Sequence, residues 1–125
     1  MQQQDSKLKK ITIDYIKNLK KTSEVFPSIT AYDYTSAQII DQADIPLILV
    51  GDSASMMIYG YDTTIPISMN EIVLLVRAVC RGAKKALIVA DMPFLSYQPS
   101  IEETIKNGGR LIKEGNAHAV KLEGG

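Results

Sequence analysis

The sequence predicts an α/β fold in which parallel strands alternate with helices, preceded by one N-terminal helix. Short β-rich runs and helical patterns follow one another along the chain, which is typical of βαβ units. Two of the runs, residues 46–50 and 86–90, are continuously apolar, as strands covered on both faces of a parallel sheet are. Right-handed units of this kind fit either a small open sheet or the first half of a (β/α)8 barrel.

Start and stop signals place the individual elements. Strands are predicted at residues 28–31, 46–50, 86–90 and 119–122, and helices at about residues 11–19, 34–43, 68–82 and 100–115. Asp33 is a possible N-cap, while Ser68 with Glu71 and Ser100 with Glu103 have capping-box spacing. In the last helix the residues that share one face are Ile101, Ile105, Gly108 and Ile112.

Composition bounds the class of protein. The chain has 125 residues, enough for one small domain or a piece of a larger one, and is 46% hydrophobic and 22% charged. A formal net charge of zero gives no bulk reason to expect nucleic acid or an anionic membrane as a partner. No stretch approaches the roughly 18 apolar residues of a membrane span, and the N-terminus is too polar for a signal peptide. The expected location is the cytoplasm.

The single cysteine and the single histidine are expected to have structural rather than catalytic or metal-binding roles. Cys80 lies in an apolar helical run, where a buried small hydrophobe is expected, and one cysteine permits no internal disulfide. His118 lies near the end of the strands opposite the polar cluster described next, as a surface or hydrogen-bonded residue. With one residue of each type, a zinc site of nitrogen and sulfur ligands is not expected.

Polar residues stand where the strands end. Asp52 and Ser53 follow the second strand, Asp91 follows the third, and Lys121 and Glu123 lie in and after the fourth. The carboxyl ends of parallel strands are the ligand-binding end of barrels and open sheets. Two carboxylates held together there repel unless a cation neutralises them, and Mg²⁺ prefers oxygen ligands. The pattern predicts a divalent-metal site, although each aspartate alone has the simpler interpretation of a helix cap.

Lys121 has three interpretations. It is an ion-paired lysine with no further role, a Schiff-base nucleophile that needs a lowered pKa, or an ammonium that binds an anionic substrate. Nearby carboxylates keep a lysine charged, so the third interpretation is favoured. Ser53 is either a hydroxyl donor or a helix cap, and residues 59–66 form a loop that is a lid or substrate wall.

The chain resembles the ketopantoate hydroxymethyltransferase family. The matching stretches are TAYDY at 30–34, VGDS at 50–53, GYDTTIP at 60–66, RGA at 81–83, ADMPF at 90–94 and VKLEGG at 120–125. The resemblance covers residues 29–125. It implies a (β/α)8 TIM barrel, with residues 1–24 as an N-terminal helical extension and residues 25–125 as the first four βα units of a partial barrel.

The resemblance also implies a reaction and a set of roles. It implies Mg²⁺-dependent hydroxymethyl transfer from 5,10-methylenetetrahydrofolate to α-ketoisovalerate, which gives ketopantoate for pantothenate and coenzyme A, in a homo-oligomeric full-length enzyme. Asp52, Asp91 and Glu123 match the metal-associated acids. Asp52, Ser53, Asp91 and Lys121 match the substrate contacts.

The family's proton acceptor, a glutamate later in the barrel, has no match here. The expectation is therefore an N-terminal half that is inactive alone. The alternatives are a receiver-like Mg²⁺-binding signalling module, a non-catalytic piece that associates with intact subunits, and another Mg²⁺-dependent keto-acid enzyme on a related barrel.

Overall fold

A computed structural model of the chain describes residues 9–124, so residues 1–8 of the predicted N-terminal extension lie outside it. Strands and helices alternate as predicted. The elements are α1 (Ile13–Lys21), β1 (Ser28–Thr30), α2 (Tyr34–Gln42), β2 (Leu47–Val50), α3 (Ala54–Met57), α4 (Met69–Gly82), β3 (Leu87–Asp91), α5 (Ile101–Lys113) and β4 (Ala119–Lys121). The four-residue helix α3 was not predicted.

The strands form one parallel sheet in the order β1-β2-β3-β4. Each strand therefore pairs with its neighbour in the chain, as the first units of a (β/α) barrel do. A receiver-like sheet instead places its first strand between the second and the third. The strand order shows that the receiver-like interpretation is wrong.

One face of the sheet is covered by helices. Alternation of side chains along each strand turns Ile48, Val50, Ile88 and Ala90 to this face, where all four are fully buried. Helix α4 packs against α2 and α5 and against β2 and β3, so it lies over the centre of the core. We call this the helix-covered face.

The opposite face, which we call the open face, is only partly covered. Leu47, Leu49 and Val89 point to this side and are half-buried. Leu87 on the same side is nevertheless buried. The prediction that the apolar strands are covered on both faces is therefore met only in part on this side, because the helices among residues 9–124 pack on the other one. The three residues of β1 are all exposed at the edge of the sheet.

The helix caps agree with most of the predictions. Asp33 caps α2, and Ser68 with Glu71 forms a full capping box at α4. At α5, Ser100 accepts from the N–H of Glu103, but the Glu103 carboxylate lies 3.5 Å from the Asn107 amide nitrogen, so only half of the predicted box is seen.

Helix α5 turns a different face to the core from the one that its isoleucines suggest. Ile101 and Ile105 are 80% and 70% exposed, whereas Asn107 and Leu111 are buried. The Asn107 amide donates to the backbone carbonyl of Ser96 at 2.8 Å, and this bond satisfies the polar group inside the protein. A polar residue with a buried partner therefore takes a place that hydrophobicity alone assigns to isoleucine. Among residues 9–124, no helix is long and apolar enough to cross a membrane.

Candidate active site

An ion pair joins the carboxyl ends of β3 and β4. Asp91 and Lys121 are the last residues of these strands and are partners in the register of the sheet. The Lys121 ammonium donates to Asp91 Oδ1 at 3.1 Å. Asp91 is only 4% exposed, while the Lys121 side chain is 39% exposed. A buried carboxylate thus holds a partly solvated ammonium on the open face.

Asp52 lies beside this pair, just after β2. Its backbone N–H makes a long hydrogen bond of 3.4 Å to Asp91 Oδ2. The preceding Gly51 leaves room, since a Cβ there would lie 3.1 Å from Ser53 Oγ and 3.6 Å from Asp91 Oδ2. The loop between β2 and α3 therefore brings a second carboxyl group and a hydroxyl to the buried one.

Burial raises the pKa of Asp52, and the negative charge of Asp91 raises it further. The neighbouring Thr64 side chain and the charge of Lys121 lower the pKa of Asp52 and partly oppose these effects. The environment thus favours either a proton or another cation at Asp52. This is the electrostatic setting expected of two carboxylates that share a site.

These two carboxylates fit a hard divalent cation. Mg²⁺ usually takes one or two protein carboxylates and completes its coordination with water and substrate oxygens. The third predicted ligand, Glu123, is 72% exposed on its side chain and is bound to Lys121 instead. Within residues 9–124, no three acidic, histidine or cysteine side chains come together as a metal-binding group. The structure therefore brings Asp52 and Asp91 together, with Glu123 linked to them only through Lys121.

The hydrogen bond to Glu123 raises the pKa of Lys121, and its contacts with Asp91 act in the same direction against partial burial. The group is therefore an ammonium at neutral pH. This argues against a Schiff-base nucleophile, which needs the free amine, and is compatible with binding of an anion.

Ser53 occupies the N-cap position of α3 but makes no capping hydrogen bond. Its Oγ lies 2.7 Å from the hydroxyl of Tyr32, a half-buried residue just after β1. Tyr32 and Thr64 were not among the predicted site residues, although they lie in the quoted stretches 30–34 and 60–66. Thr64 places part of the loop 59–66 beside Asp52.

The remaining two singled-out residues lie away from this cluster. His118 Nδ1 accepts the N–H of Ile88 at 2.9 Å, which confirms a hydrogen-bonded histidine. Cys80 is half-buried rather than fully buried, and its Sγ donates to the Asn116 carbonyl at 3.3 Å. Burial raises the pKa of the Cys80 thiol to about 11, so it is not an activated nucleophile.

Comparisons with known proteins cover almost the whole chain. The family described as Ketopantoate hydroxymethyltransferase matches residues 10–125. The 3-methyl-2-oxobutanoate hydroxymethyltransferase of Clostridioides difficile is 54% identical over 116 residues, which are 93% of this chain and 42% of that protein. Proteins of the same name from Syntrophus aciditrophicus and Saccharopolyspora erythraea are 49% and 50% identical, over 96% and 94% of this chain. The chain spans 44% and 40% of the length of these two relatives.

Proposed function

The chain belongs to the ketopantoate hydroxymethyltransferase family, and on that premise we propose that it carries the metal- and keto-acid-binding part of such an enzyme. The proposed reaction transfers a hydroxymethyl group from 5,10-methylenetetrahydrofolate to α-ketoisovalerate (3-methyl-2-oxobutanoate) and gives ketopantoate. The observation that carries the proposal is the buried Asp91 held between Lys121 and the backbone of Asp52.

Asp52 and Asp91 are the residues that would hold Mg²⁺. The bound ion would polarise the keto group of the substrate and make the C–H at C3 easier to ionise. Glu123 would act at this ion through water, because its carboxylate is bound to Lys121.

The protein's own residues supply charge and orientation. The Lys121 ammonium stabilises negative charge that develops on the keto acid as its C3 proton leaves. Ser53 donates its hydroxyl to the substrate, and Tyr32 holds that hydroxyl at 2.7 Å in a fixed direction. The loop 59–66 forms a wall of the site through Thr64.

We also propose that the sheet is the first half of a closed (β/α)8 barrel. The sequential parallel strand order supports this, and so does the half-buried apolar surface of the open face, which would become the barrel interior. The proton acceptor for C3 then lies outside residues 9–124, because Asp52 and Asp91 are assigned to the metal and Glu123 to Lys121. The 125-residue chain alone is accordingly expected to show no turnover.

A chimera tests the proposed activity. Residues 10–125 of this chain would replace the aligned segment of the Clostridioides difficile relative, and ketopantoate formation would be measured with Mg²⁺ present. We expect turnover by the chimera and a loss of at least about 100-fold in the Asp91→Asn chimera, since this removes a ligand of the catalytic metal. A folded chimera without turnover, or one in which Asp91→Asn has no effect, would show the proposal to be wrong.

A binding experiment tests the metal site separately. Mn²⁺ serves as a paramagnetic substitute for Mg²⁺ and is titrated into the 125-residue chain and its Asp52→Asn and Asp91→Asn variants. We expect each variant to bind about 10- to 100-fold more weakly. Asp33→Asn is the matched control, because this aspartate also follows a strand but serves as the cap of α2.

A further inference from the structure

A basic pocket lies at the end of the sheet opposite the candidate active site. It has a volume of about 530 Å³ and is lined by the C-terminal part of α4, the loop before β3, the loop before β4 and the N-terminal segment. Its polar lining consists of Lys10, Cys80, Arg81, Lys84, Asn116 and His118, and no acidic residue among residues 9–124 lines it. Pockets of this size accommodate small molecules.

Three cations line the pocket: Lys10 comes from the N-terminal segment, and Arg81 and Lys84 from the end of α4 and the loop directly after it. Among residues 9–124, Lys10, Arg81 and Lys84 form no ion pair, whereas Lys85 pairs with Asp44 and Arg110 pairs with Glu114. Arg81 alone is explained by the last turn of α4, where a cation suits the helix dipole. That explanation does not extend to Lys10 or Lys84, which lie outside the helix.

The loop that carries Lys84 is fixed by a buried carboxylate. Asp41 accepts the backbone N–H groups of Lys84, Lys85 and Ala86 at 2.8–3.0 Å. These bonds hold the backbone at Lys84 in one conformation and direct the Asp41 charge to the main chain. The backbone that carries Lys84 is therefore fixed before any ligand arrives, which reduces part of the entropic cost of binding, while the Lys84 side chain itself is exposed.

The neutral groups of the pocket also include donors. Because His118 Nδ1 accepts the N–H of Ile88, the hydrogen of the neutral ring is on Nε2. The Cys80 thiol donates to the Asn116 carbonyl, so that oxygen is already used. Cationic side chains and N–H donors, in a pocket with no acidic residue among its described lining residues, are groups that recognise a phosphoryl anion.

We propose that this pocket binds a multiply charged phosphoryl anion, at a site separate from the one that holds the keto acid. Lys10, Arg81 and Lys84 supply the charge, and His118 supplies a directed N–H. The proposal is independent of the proposed function, since no described lining residue of the pocket forms a hydrogen bond or ion pair with the side chains of Asp52, Asp91 or Lys121.

The single histidine makes the test direct. The Hε1 resonance of His118 in the 125-residue chain is followed by NMR at pH 8 and constant ionic strength during titration with inorganic phosphate, pyrophosphate or glycerol 3-phosphate. We expect a saturable shift, and the three arms distinguish free phosphate from a phosphate ester. Arg81→Gln and Lys84→Gln should each weaken binding about three- to fivefold, as expected for a partly exposed charge pair.

Lys17→Gln is the matched control, because it removes one exposed lysine from α1 without touching the pocket. A second readout is the reaction rate of Cys80, the only thiol, with a disulfide reagent, which bound anion should slow. Absence of a saturable shift would overturn the proposal, and so would equal weakening by Lys17→Gln. If a pocket variant loses its fold by circular dichroism, protection of Cys80 in the unmodified chain decides the matter.

Discussion

The two faces of the sheet differ in composition: one carries the buried apolar core, and the other carries the candidate active-site residues. On the helix-covered face, Ile48, Val50 and Ile88 are fully buried under the packed helices α2, α4 and α5. The open face combines half-buried Leu49 and Val89 with Asp91 and Lys121 at its carboxyl end. Neighbouring residues on one strand therefore belong to different environments, and their substitutions should behave differently.

The largest difference in the free energy of unfolding is expected between alanine substitutions at Ile48 and Leu49, two adjacent residues of β2 with isomeric side chains. Ile48→Ala should lower the free energy of unfolding by about 2–5 kcal/mol, because it leaves a cavity in a closed core. Leu49→Ala should cost less than half as much, since Leu49 is already partly solvated. Urea unfolding followed by tyrosine fluorescence gives both values, and equal losses would contradict the distinction between the faces.

Glycine-to-alanine changes extend the comparison from the sheet to the helices. A Cβ at Gly82 would lie 2.5 Å from the Tyr34 carbonyl oxygen and 2.9 Å from Ala37 Cβ, where α4 meets α2. Gly82→Ala should destabilise the protein by about 1–3 kcal/mol through overpacking. Gly109 on α5 has no atom within 4 Å of the same position, so Gly109→Ala should stabilise by about 0.5–1 kcal/mol. Thermal unfolding distinguishes the two, and destabilisation by both would show that α5 is packed on a side the structure leaves open.

A smaller loss of stability is expected when the hydrogen bond between the hydroxyls of Tyr32 and Ser53, beside the candidate active site, is removed. Tyr32→Phe removes the bond to Ser53 and should cost about 0.5–1.5 kcal/mol. Tyr34→Phe in the same stretch is the control, because its exposed hydroxyl bonds only Gln38 and its loss should leave stability nearly unchanged. Chemical denaturation of both variants provides the comparison, and an equal cost would mean that the Tyr32 hydroxyl has no particular partner.

The smallest change in stability is expected for Asp52→Asn, and this change should depend on pH. Its pKa is raised on folding, so the folded state binds more protons between the ordinary value of about 3.9 and the raised one. Stability therefore falls as pH rises through that window. Asp52→Asn removes this loss and should be more stable than the parent at pH 7 by less than about 1 kcal/mol, because water screens a partly exposed charge.

The gain from Asp52→Asn should disappear below the ordinary pKa of aspartate, where the parent side chain is also neutral. Asp91→Asn is the opposing control, since it breaks the pair with Lys121 and should destabilise at pH 7. Unfolding measured across pH 3–7 tests the sign, and a gain that persists at the acid end would exclude an electrostatic origin.

Much of the fold follows from local signals in the sequence. The apolar runs around Ile48 and Ile88, the cap at Asp33 and the box of Ser68 with Glu71 depend on residues close in the chain, and all were predicted correctly. The buried face of α5 was predicted wrongly: Asn107, bonded to Ser96, lies inside the protein, while Ile101 and Ile105 are exposed. A pattern of residue types does not contain that distant partner.

The sequence by itself determined which residues reach the carboxyl ends of the strands, because a strand followed by an acid places that acid at the sheet edge. Only the tertiary structure decided how those residues meet. In the β3–β4 register, Asp91 is the partner of Lys121, and the carboxylate of Glu123 also binds this lysine. The hydroxyls of Ser53 and Tyr32, which follow β2 and β1, form a hydrogen bond. The physical reason is that contacts between strands depend on register and loop conformation, which residues far apart in the chain fix together.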